Sequence, residues 1–113
     1  MKKIEAIIKP SKLSNVKDAL HEIGLSGMTV SDVKGFGRQR GQDGGLNSSP
    51  DYDDEFRVKI KIELIIEDKM VEKALEAIKN ASYSGKIGDG KIFIYTIDQV
   101  IRIRTGEKDS DAV

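Results

Sequence analysis

The fold of this chain is constrained most strongly by a pattern that occurs twice: a strand, an amphipathic helix and a second strand. Apolar residues alternate with polar ones in the strands and recur every three or four residues in the helices. The predicted strands cover residues 2–9, 28–35, 58–66 and 91–97, and the predicted helices cover residues 13–23 and 71–78. Two such halves in succession predict a ferredoxin-like βαββαβ sandwich, an α+β fold with an antiparallel four-stranded sheet and both helices on one face.

The two halves are separated by a long stretch, Gly35 to Glu55, that has no apolar periodicity. It reads GFGRQRGQDGGLNSSPDYDDE, with basic residues at the front and acidic residues at the back. A connection of this length without secondary structure is uncommon in a compact domain and is usually functional or disordered. We therefore expect one domain over residues 1–113, with a long flexible loop at about 37–56 and a polar, loose tail at about 105–113.

Composition excludes several kinds of function. Lys and Arg number 19, as do Asp and Glu, so the net charge of zero gives no general attraction to nucleic acid or to an anionic membrane. The chain has no cysteine and one histidine, His21, which excludes thiolate and histidine-rich metal sites within a single chain. The apolar run at the N-terminus is too short for a signal peptide and no stretch is long enough to span a membrane, so we expect a cytoplasmic protein.

The sheet face opposite the helices is predicted to carry Ile7, Phe93 and Tyr95 among charged residues. These side chains make the face too apolar to be left wholly in water. We therefore predict that it is buried between subunits, with three copies packed sheet to sheet around an axis in a homotrimer.

A glycine-rich turn, SGKIGDGK from Ser84 to Lys91, is the first candidate binding site. Its glycines, Gly85, Gly88 and Gly90, let backbone N–H groups approach an anion, and Lys91 adds a positive charge. The turn lacks P-loop spacing and precedes a strand, so a plain tight turn is the simpler interpretation of this segment alone.

Asp89 is the only carboxylate within that turn, and the chain shows no arrangement of residues that would make it an enzyme. A short acidic side chain in a tight turn commonly accepts hydrogen bonds from the turn's own N–H groups. We favour that structural role for Asp89 over a catalytic one.

Two further candidates lie elsewhere in the chain. The segment VIRIRTG, residues 100–106, is predicted to be a short extended piece. Arg102 and Arg104 are two residues apart, so in such a piece they would point the same way and could bind a di- or triphosphate; a solvated basic patch is the alternative. At the base of the long loop, Gln39 offers an oxygen ligand, and Lys59 offers a point charge for a carboxylate. Ordinary loop polarity explains these last residues equally well when the pattern is taken alone.

These candidates lie in sequence blocks that closely resemble the PII signal-transduction proteins, the nitrogen regulatory P-II family. The matching blocks are MKKIEAIIKPSKL, GMTVSDVKGFGRQRG, KIKIEL, SGKIGDGKIFIY and VIRIRTGE, which cover nearly the whole chain except the loop. The run from Ser84 to Ile97 fits the family's C-terminal signature throughout. The resemblance implies a ferredoxin-like trimer that senses nitrogen, carbon and energy status and is not an enzyme.

The resemblance also implies that ATP or ADP binds as a regulatory ligand in the clefts between subunits. Matching positions would hold the phosphates (Gly88, Asp89, Gly90 and Lys91), reach them from the neighbouring subunit (Arg102 and Arg104) or line the site (Ile7, Gly35, Gly37, Arg38 and Ile65, with Thr29 near the adenine). In this family Mg-ATP helps to bind 2-oxoglutarate. Gln39 would ligate the Mg²⁺ together with ATP phosphates and 2-oxoglutarate, and Lys59 would pair with a carboxylate of 2-oxoglutarate.

The loop departs from the family pattern, which carries a Tyr-Arg-Gly-x-x-Tyr stretch and a tip arginine that plugs ammonium channels. Here no arginine lies between Arg40 and Arg57, and Tyr52 is the only tyrosine of the loop. Nucleotidylylation of a loop tyrosine and the familiar channel-blocking mode therefore do not carry over directly. Tyr52, with Ser48 and Ser49, stands as a candidate for modification beside the simpler account of loop polarity.

The expected partner is a regulatory target reached through the loop, such as an ammonium or other membrane transporter or an enzyme of nitrogen metabolism. The divergent loop favours keeping one alternative: a PII-like regulator with the same nucleotide pocket but a different effector or partner, as in nitrogenase regulation or bicarbonate transport.

Two other classes are less favoured. An acylphosphatase-like enzyme would need an arginine-bearing phosphate loop after its first strand, where this chain has Lys9-Pro10-Ser11. An RNA-binding sheet would need a pair of stacking aromatic residues, and the chain's few aromatic residues do not form one.

Overall fold

The computed structural model describes residues 1–36 and 57–113, so the long loop predicted at about 37–56 lies outside the described residues. The strands are β1 (Lys2–Ile8), β2 (Thr29–Gly35), β3 (Arg57–Ile66) and β4 (Lys91–Thr96), and the helices are α1 (Leu13–Glu22) and α2 (Val71–Ser82). The strands form a four-stranded sheet in the order β2-β3-β1-β4, with each neighbouring pair antiparallel. This is the strand order of a ferredoxin-like fold, so the predicted fold class is confirmed.

Each helix starts from a single 3-10 turn, formed by Pro10–Lys12 before α1 and by Asp68–Met70 before α2. Proline suits such a first turn because its missing N–H would have no helical partner there. Gly24 follows α1 with a φ of +91°, in the left-handed region where glycine commonly ends a helix. No helix in the described part of the chain is long and apolar enough to cross a membrane.

The hydrophobic core lies between the sheet and the two helices. It is built from the strand residues that alternate toward the helices, together with the apolar stripe of each helix. Its fully or almost fully buried members are Ile4, Ala6, Ile8, Val16, Leu20, Ile60, Ile62, Leu64, Ile66, Ala74 and Ile78. Burying one such isoleucine or leucine side chain contributes about 1.5–3 kcal/mol, so this layer supplies most of the driving force for folding. Val58 shares the core-facing side of β3 but is exposed at the start of the strand.

The opposite face of the sheet is open in the single chain. Phe93 and Tyr95 of β4 are 42% and 45% exposed. Beside them the Lys3 ammonium lies 2.7 Å from a carboxylate oxygen of Glu63 and 5.4 Å from the centre of the Tyr95 ring. The hydrogen bond to Glu63 raises the pKa of Lys3, so this pairing stabilises the charged form of the lysine. The face therefore exposes large aromatic side chains beside paired charges, and aromatic residues are the type enriched where another protein chain packs.

The C-terminal segment differs from the prediction of an extended piece followed by a loose tail. The chain turns at residues 103–105. Arg102 N–H donates to the Glu107 carbonyl at 2.9 Å, and Ile101 bridges Lys108. A 3-10 turn at Asp109–Asp111 ends the chain, tied back by the bond from Asp109 N–H to the Val100 carbonyl at 2.8 Å. The prediction was wrong because these backbone hydrogen bonds fold the polar tail back onto the preceding segment.

Candidate functional site

The glycine-rich turn between α2 and β4 is organised by the carboxylate of Asp89. One carboxylate oxygen accepts the backbone N–H groups of Ser84 and Gly85, at 2.8 and 3.0 Å, and the other accepts the Ser84 hydroxyl. The Lys9 ammonium, at the end of β1, lies 3.1 Å from the same carboxylate. The bonds from Ser84, with those from Lys9 and Gly85, hold the pKa of Asp89 far below its ordinary value. The expected role for this carboxylate, bonding the N–H groups of its own turn, is confirmed.

Gly90 brings the turn against β1. Its φ is +102°, and a Cβ atom built on it would lie 1.7 Å from the Ile7 carbonyl oxygen. Gly88 has a φ of +101°. A residue with a side chain at position 90 would be strained by the positive φ and would also clash with the Ile7 carbonyl oxygen. Only glycine therefore lets the turn pack this closely against β1.

Lys59 connects the start of β3 to the same turn. Its side chain lies on the open face of the sheet, yet the residue is only 8% exposed. Its ammonium donates to the Gly88 carbonyl at 2.8 Å. Because a lysine ammonium has three N–H donors, this bond uses one of them and fixes the direction of the charge. The strand next to the long loop is thereby linked to the glycine turn.

These groups surround a cleft of about 830 Å³ at one end of the sheet's open face, where all four strands contribute to its lining. The cleft is lined by Ile7, Gly35, Phe36, Arg57, Lys59, Ile87, Gly88, Gly90, Lys91 and Phe93. The lining carries three cations and, among the residues that the structure describes, no carboxylate. A cleft of this composition, with three glycines in its wall, is suited to a multiply charged anion that also has an apolar part.

Six of the residues predicted for the site meet in this cleft: Ile7, Gly35, Lys59, Gly88, Gly90 and Lys91. Thr29 and Ile65 do not; they line a second depression of about 480 Å³, beside Lys3 and Glu63. Asp89 lines a third cavity of about 320 Å³, with Ser82 and Tyr83. Arg102 and Arg104 line none of these three cavities. The predicted site is therefore divided among separate surfaces of one chain.

Outside the described residues lie the remaining predicted residues, which are Gly37, Arg38, Gln39, Ser48, Ser49 and Tyr52. Within residues 1–36 and 57–113, no group of three or more His, Cys, Asp or Glu side chains is placed to hold a metal ion.

Four cleft residues were not predicted as site residues: Phe36, Arg57, Ile87 and Phe93. Phe36 and Ile87 are more than half exposed, and each follows or precedes a glycine in a segment without apolar periodicity. An apolar residue placed in such a segment was the available signal, since it has no core to face. Lys9 was also missed, because nothing in the sequence relates it to a turn 75 residues away.

Comparison with known proteins finds relatives over the whole chain. A family model described as nitrogen regulatory protein P-II matches residues 1–107. Two proteins named nitrogen regulatory protein P-II, from Rhodospirillum rubrum and Azospirillum brasilense, are 60% and 56% identical over 113 residues, which is 100% of this chain and of each relative. The crystal structure of Arabidopsis thaliana PII bound to citrate matches with a TM-score of 0.80 at 37% identity, covering 99% of this chain and 91% of that one. Sequence and fold thus lead to the same group of proteins.

Proposed function

The chain belongs to the nitrogen regulatory protein P-II family, and we propose that it senses ATP, ADP and 2-oxoglutarate and passes their status to a target protein through its long loop. Proteins of this family are signal-transduction regulators. In this proposal ATP and ADP compete for equivalent clefts, and ligand occupancy selects among loop conformations by differential affinity rather than by catalysis.

The observation that carries the proposal is the charge and shape of the cleft of about 830 Å³. Arg57, Lys59 and Lys91 supply three positive charges, and Gly88 and Gly90 bring backbone close to whatever occupies it. A nucleoside di- or triphosphate matches this lining, because its phosphates are multiply charged anions.

The division of the predicted residues between two depressions supports a nucleotide that is shared between subunits. The phosphates would lie against the glycine turn of one subunit, and the base would lie near Thr29 and Ile65. Arg102 and Arg104, which line neither depression in their own chain, would reach the phosphates of a neighbour. We propose a homotrimer for this reason and because the open face leaves Phe93 and Tyr95 uncovered in the single chain.

Binding of 2-oxoglutarate is proposed for the same cleft. Lys59 would pair with one carboxylate, and the Mg²⁺ ion would be held by ATP phosphates, 2-oxoglutarate and the side chain of Gln39. The lining fits such anions because it is cationic and free of carboxylates among the described residues. The Arabidopsis relative is bound to citrate, another polycarboxylate, which supports the idea that this kind of protein accommodates such ligands.

The target is proposed to be an ammonium or other membrane transporter, or an enzyme of nitrogen metabolism, met in the cytoplasm or at the membrane surface. The alternative of a different effector or partner rests on the divergent tip of the loop, with Tyr52 as a candidate for modification. A pull-down with the full chain and with a variant lacking residues 42–54 would separate these targets, because only loop-dependent partners disappear from the second sample.

Isothermal titration calorimetry tests the proposal. Purified protein is titrated with ATP, with ADP, and with 2-oxoglutarate in the presence and absence of Mg-ATP. We expect both nucleotides to bind, and 2-oxoglutarate to bind only with Mg-ATP. Lys59→Met should remove the 2-oxoglutarate response, whereas Lys73→Met, which deletes an exposed lysine on α2, should not. Absence of nucleotide binding, or 2-oxoglutarate binding that ignores Mg-ATP, would contradict the proposal.

A further inference from the structure

A carboxylate beside a site for a polyanion needs an explanation, because its charge opposes the ligand. Asp89 is flanked by Gly88 and Gly90, which line the cleft. Coulomb repulsion alone would favour a neutral residue here if nucleotide phosphates bind to this turn. The contacts of the Asp89 side chain supply the reason for its presence.

We propose that Lys9, Ser84 and Asp89 form a clamp on the back of the glycine turn, and that this clamp positions the turn for phosphates without touching them. The proposal rests on the proposed binding of nucleotide and assigns positioning residues to that site. Lys9 is not among the residues predicted for the site. The family resemblance implies that Asp89 contacts phosphate, whereas the clamp assigns it a supporting role within the turn.

All three members of the clamp bond one another. Lys9 Nζ lies 3.1 Å from both the Ser84 hydroxyl oxygen and an Asp89 carboxylate oxygen. The Ser84 hydroxyl donates to the same carboxylate. The second carboxylate oxygen takes two backbone N–H groups, so both oxygens of Asp89 are engaged within the turn or by β1. Charge-assisted bonds of this kind are stronger than neutral ones.

The carboxylate of Asp89 lies on the side of the turn away from the cleft. Asp89 does not line the cleft; it lines the separate cavity formed with Ser82 and Tyr83. Gly90 and Lys91 line both cavities, so the turn is the wall between them. The clamp therefore acts on one surface of this wall while the other surface faces the proposed ligand.

The surface of the turn that faces the cleft is anchored as well. Lys59 donates to the Gly88 carbonyl at 2.8 Å, and Gly90 lies against the Ile7 carbonyl. The Lys9 and Lys59 ammonium groups thus anchor adjacent residues of one turn to β1 and β3. A site that binds an anion through backbone N–H groups needs such support. If the turn were mobile, ordering these N–H groups on binding would cost free energy and weaken the affinity.

The substitution Asp89→Asn tests the clamp by the sign of its effect on ATP binding. It removes a negative charge near a polyanion, so an electrostatic effect alone predicts tighter binding. The clamp predicts weaker binding, by about tenfold in Kd, because the asparagine amide cannot accept every bond that the carboxylate accepts. Calorimetry with ATP is the measurement, and Asp18→Asn, the same change at an exposed position of α1, is the matched control.

Lys9 is tested by two substitutions. Lys9→Met should weaken ATP binding by a similar factor, and Lys9→Arg, which keeps a cation with several N–H donors, should restore affinity to within about threefold of the native value. Lys17→Met on α1 controls for loss of a lysine elsewhere. The double variant Lys9→Met, Asp89→Asn should bind about as weakly as either single variant, since each breaks the same unit.

Amide hydrogen exchange in the ligand-free protein separates failure of the clamp from failure of nucleotide binding. The Ser84 and Gly85 amides, which donate to Asp89, should exchange about tenfold faster in Asp89→Asn than in the native chain. Unchanged exchange, or unchanged or tighter ATP binding in Asp89→Asn, overturns the clamp. Absence of ATP binding in the native chain overturns the proposed function instead, and the exchange result then still decides whether the clamp exists.

Discussion

Replacing Gly90 with alanine should damage both the fold of the turn and nucleotide binding, and the structure gives the size of the effect. The added Cβ would lie 1.7 Å from the Ile7 carbonyl oxygen and 2.8 Å from the carbonyl carbon. Ordinary contact between such atoms is more than about 3 Å, so the turn would have to move about 1.5 Å away from β1. The φ of +102° adds a backbone cost of about 1–2 kcal/mol for any residue with a side chain.

Substitutions at two other glycines separate the cost of the positive φ from the cost of the steric clash. Gly24 has a φ of +91°, and a Cβ atom added there would meet nothing within 4 Å, so Gly24→Ala carries the backbone strain alone. Gly27 has neither a positive φ nor a near neighbour, so Gly27→Ala carries neither cost. We expect Gly27→Ala to change the free energy of unfolding by less than about 0.5 kcal/mol, Gly24→Ala to cost about 1 kcal/mol, and Gly90→Ala to cost about 3 kcal/mol.

Urea denaturation at one fixed protein concentration measures these differences, since an oligomer's stability depends on concentration. Calorimetry with ATP then reports whether the displaced turn still binds phosphates; we expect a loss of about a hundredfold for Gly90→Ala and less than about twofold for Gly24→Ala. If Gly90→Ala costs no more stability than Gly24→Ala, close contact with β1 does not hold the turn in place. If stability falls while ATP affinity is unchanged, the turn does not form the phosphate site.

Three further outcomes are expected. The low pKa of Asp89 means that its ionised form stabilises the folded chain. This contribution is present above the unfolded-state pKa of about 3.9 and is lost as pH falls toward the lower folded-state pKa. In urea denaturation, the stability advantage of the native chain over Asp89→Asn should therefore be constant from about pH 7 to 5 and shrink below about pH 4. Arg104→Ala should weaken ATP binding in calorimetry and leave the proposed trimer intact by analytical ultracentrifugation, whereas loss of that trimer as well would make Arg104 structural. Ile62→Val, at the fully buried centre of β3, should cost about 1 kcal/mol in urea denaturation with no change in ATP affinity, and an altered affinity would show that the core and the cleft are coupled.

The strands and helices could be predicted because their apolar periodicity follows directly from local geometry. Ile4, Ala6 and Ile8 alternate along β1, and the structure buries all three against the helices. The C-terminal segment carries a similar alternation, with Ile101 and Ile103, and the same rule therefore predicts that this segment is extended. The difference lies in Gly106, whose φ of +74° lets the chain fold back so that Arg102 bonds Glu107. Gly106, which follows this alternation closely, was the sequence signal for a turn, but the prediction relied on the alternation alone.

Six of the residues expected at the candidate site line one cleft, but the contacts that assemble this cleft could not be predicted, because they join segments that are remote in sequence. Lys9 bonds a residue 75 positions away, and Lys59 bonds one 29 positions away. Strand register creates both contacts: Ile7 pairs with Lys91 on one side and with Lys61 on the other. The first pairing brings Gly90 onto β1 and Asp89 to Lys9, and the second carries Lys59 to Gly88 just beyond the paired residues. A shift of one residue in either pairing would turn every side chain of that strand to the other face. The same register that buries the core therefore also closes the glycine turn between two lysines, and the cleft cannot form unless the sheet has its native pairing.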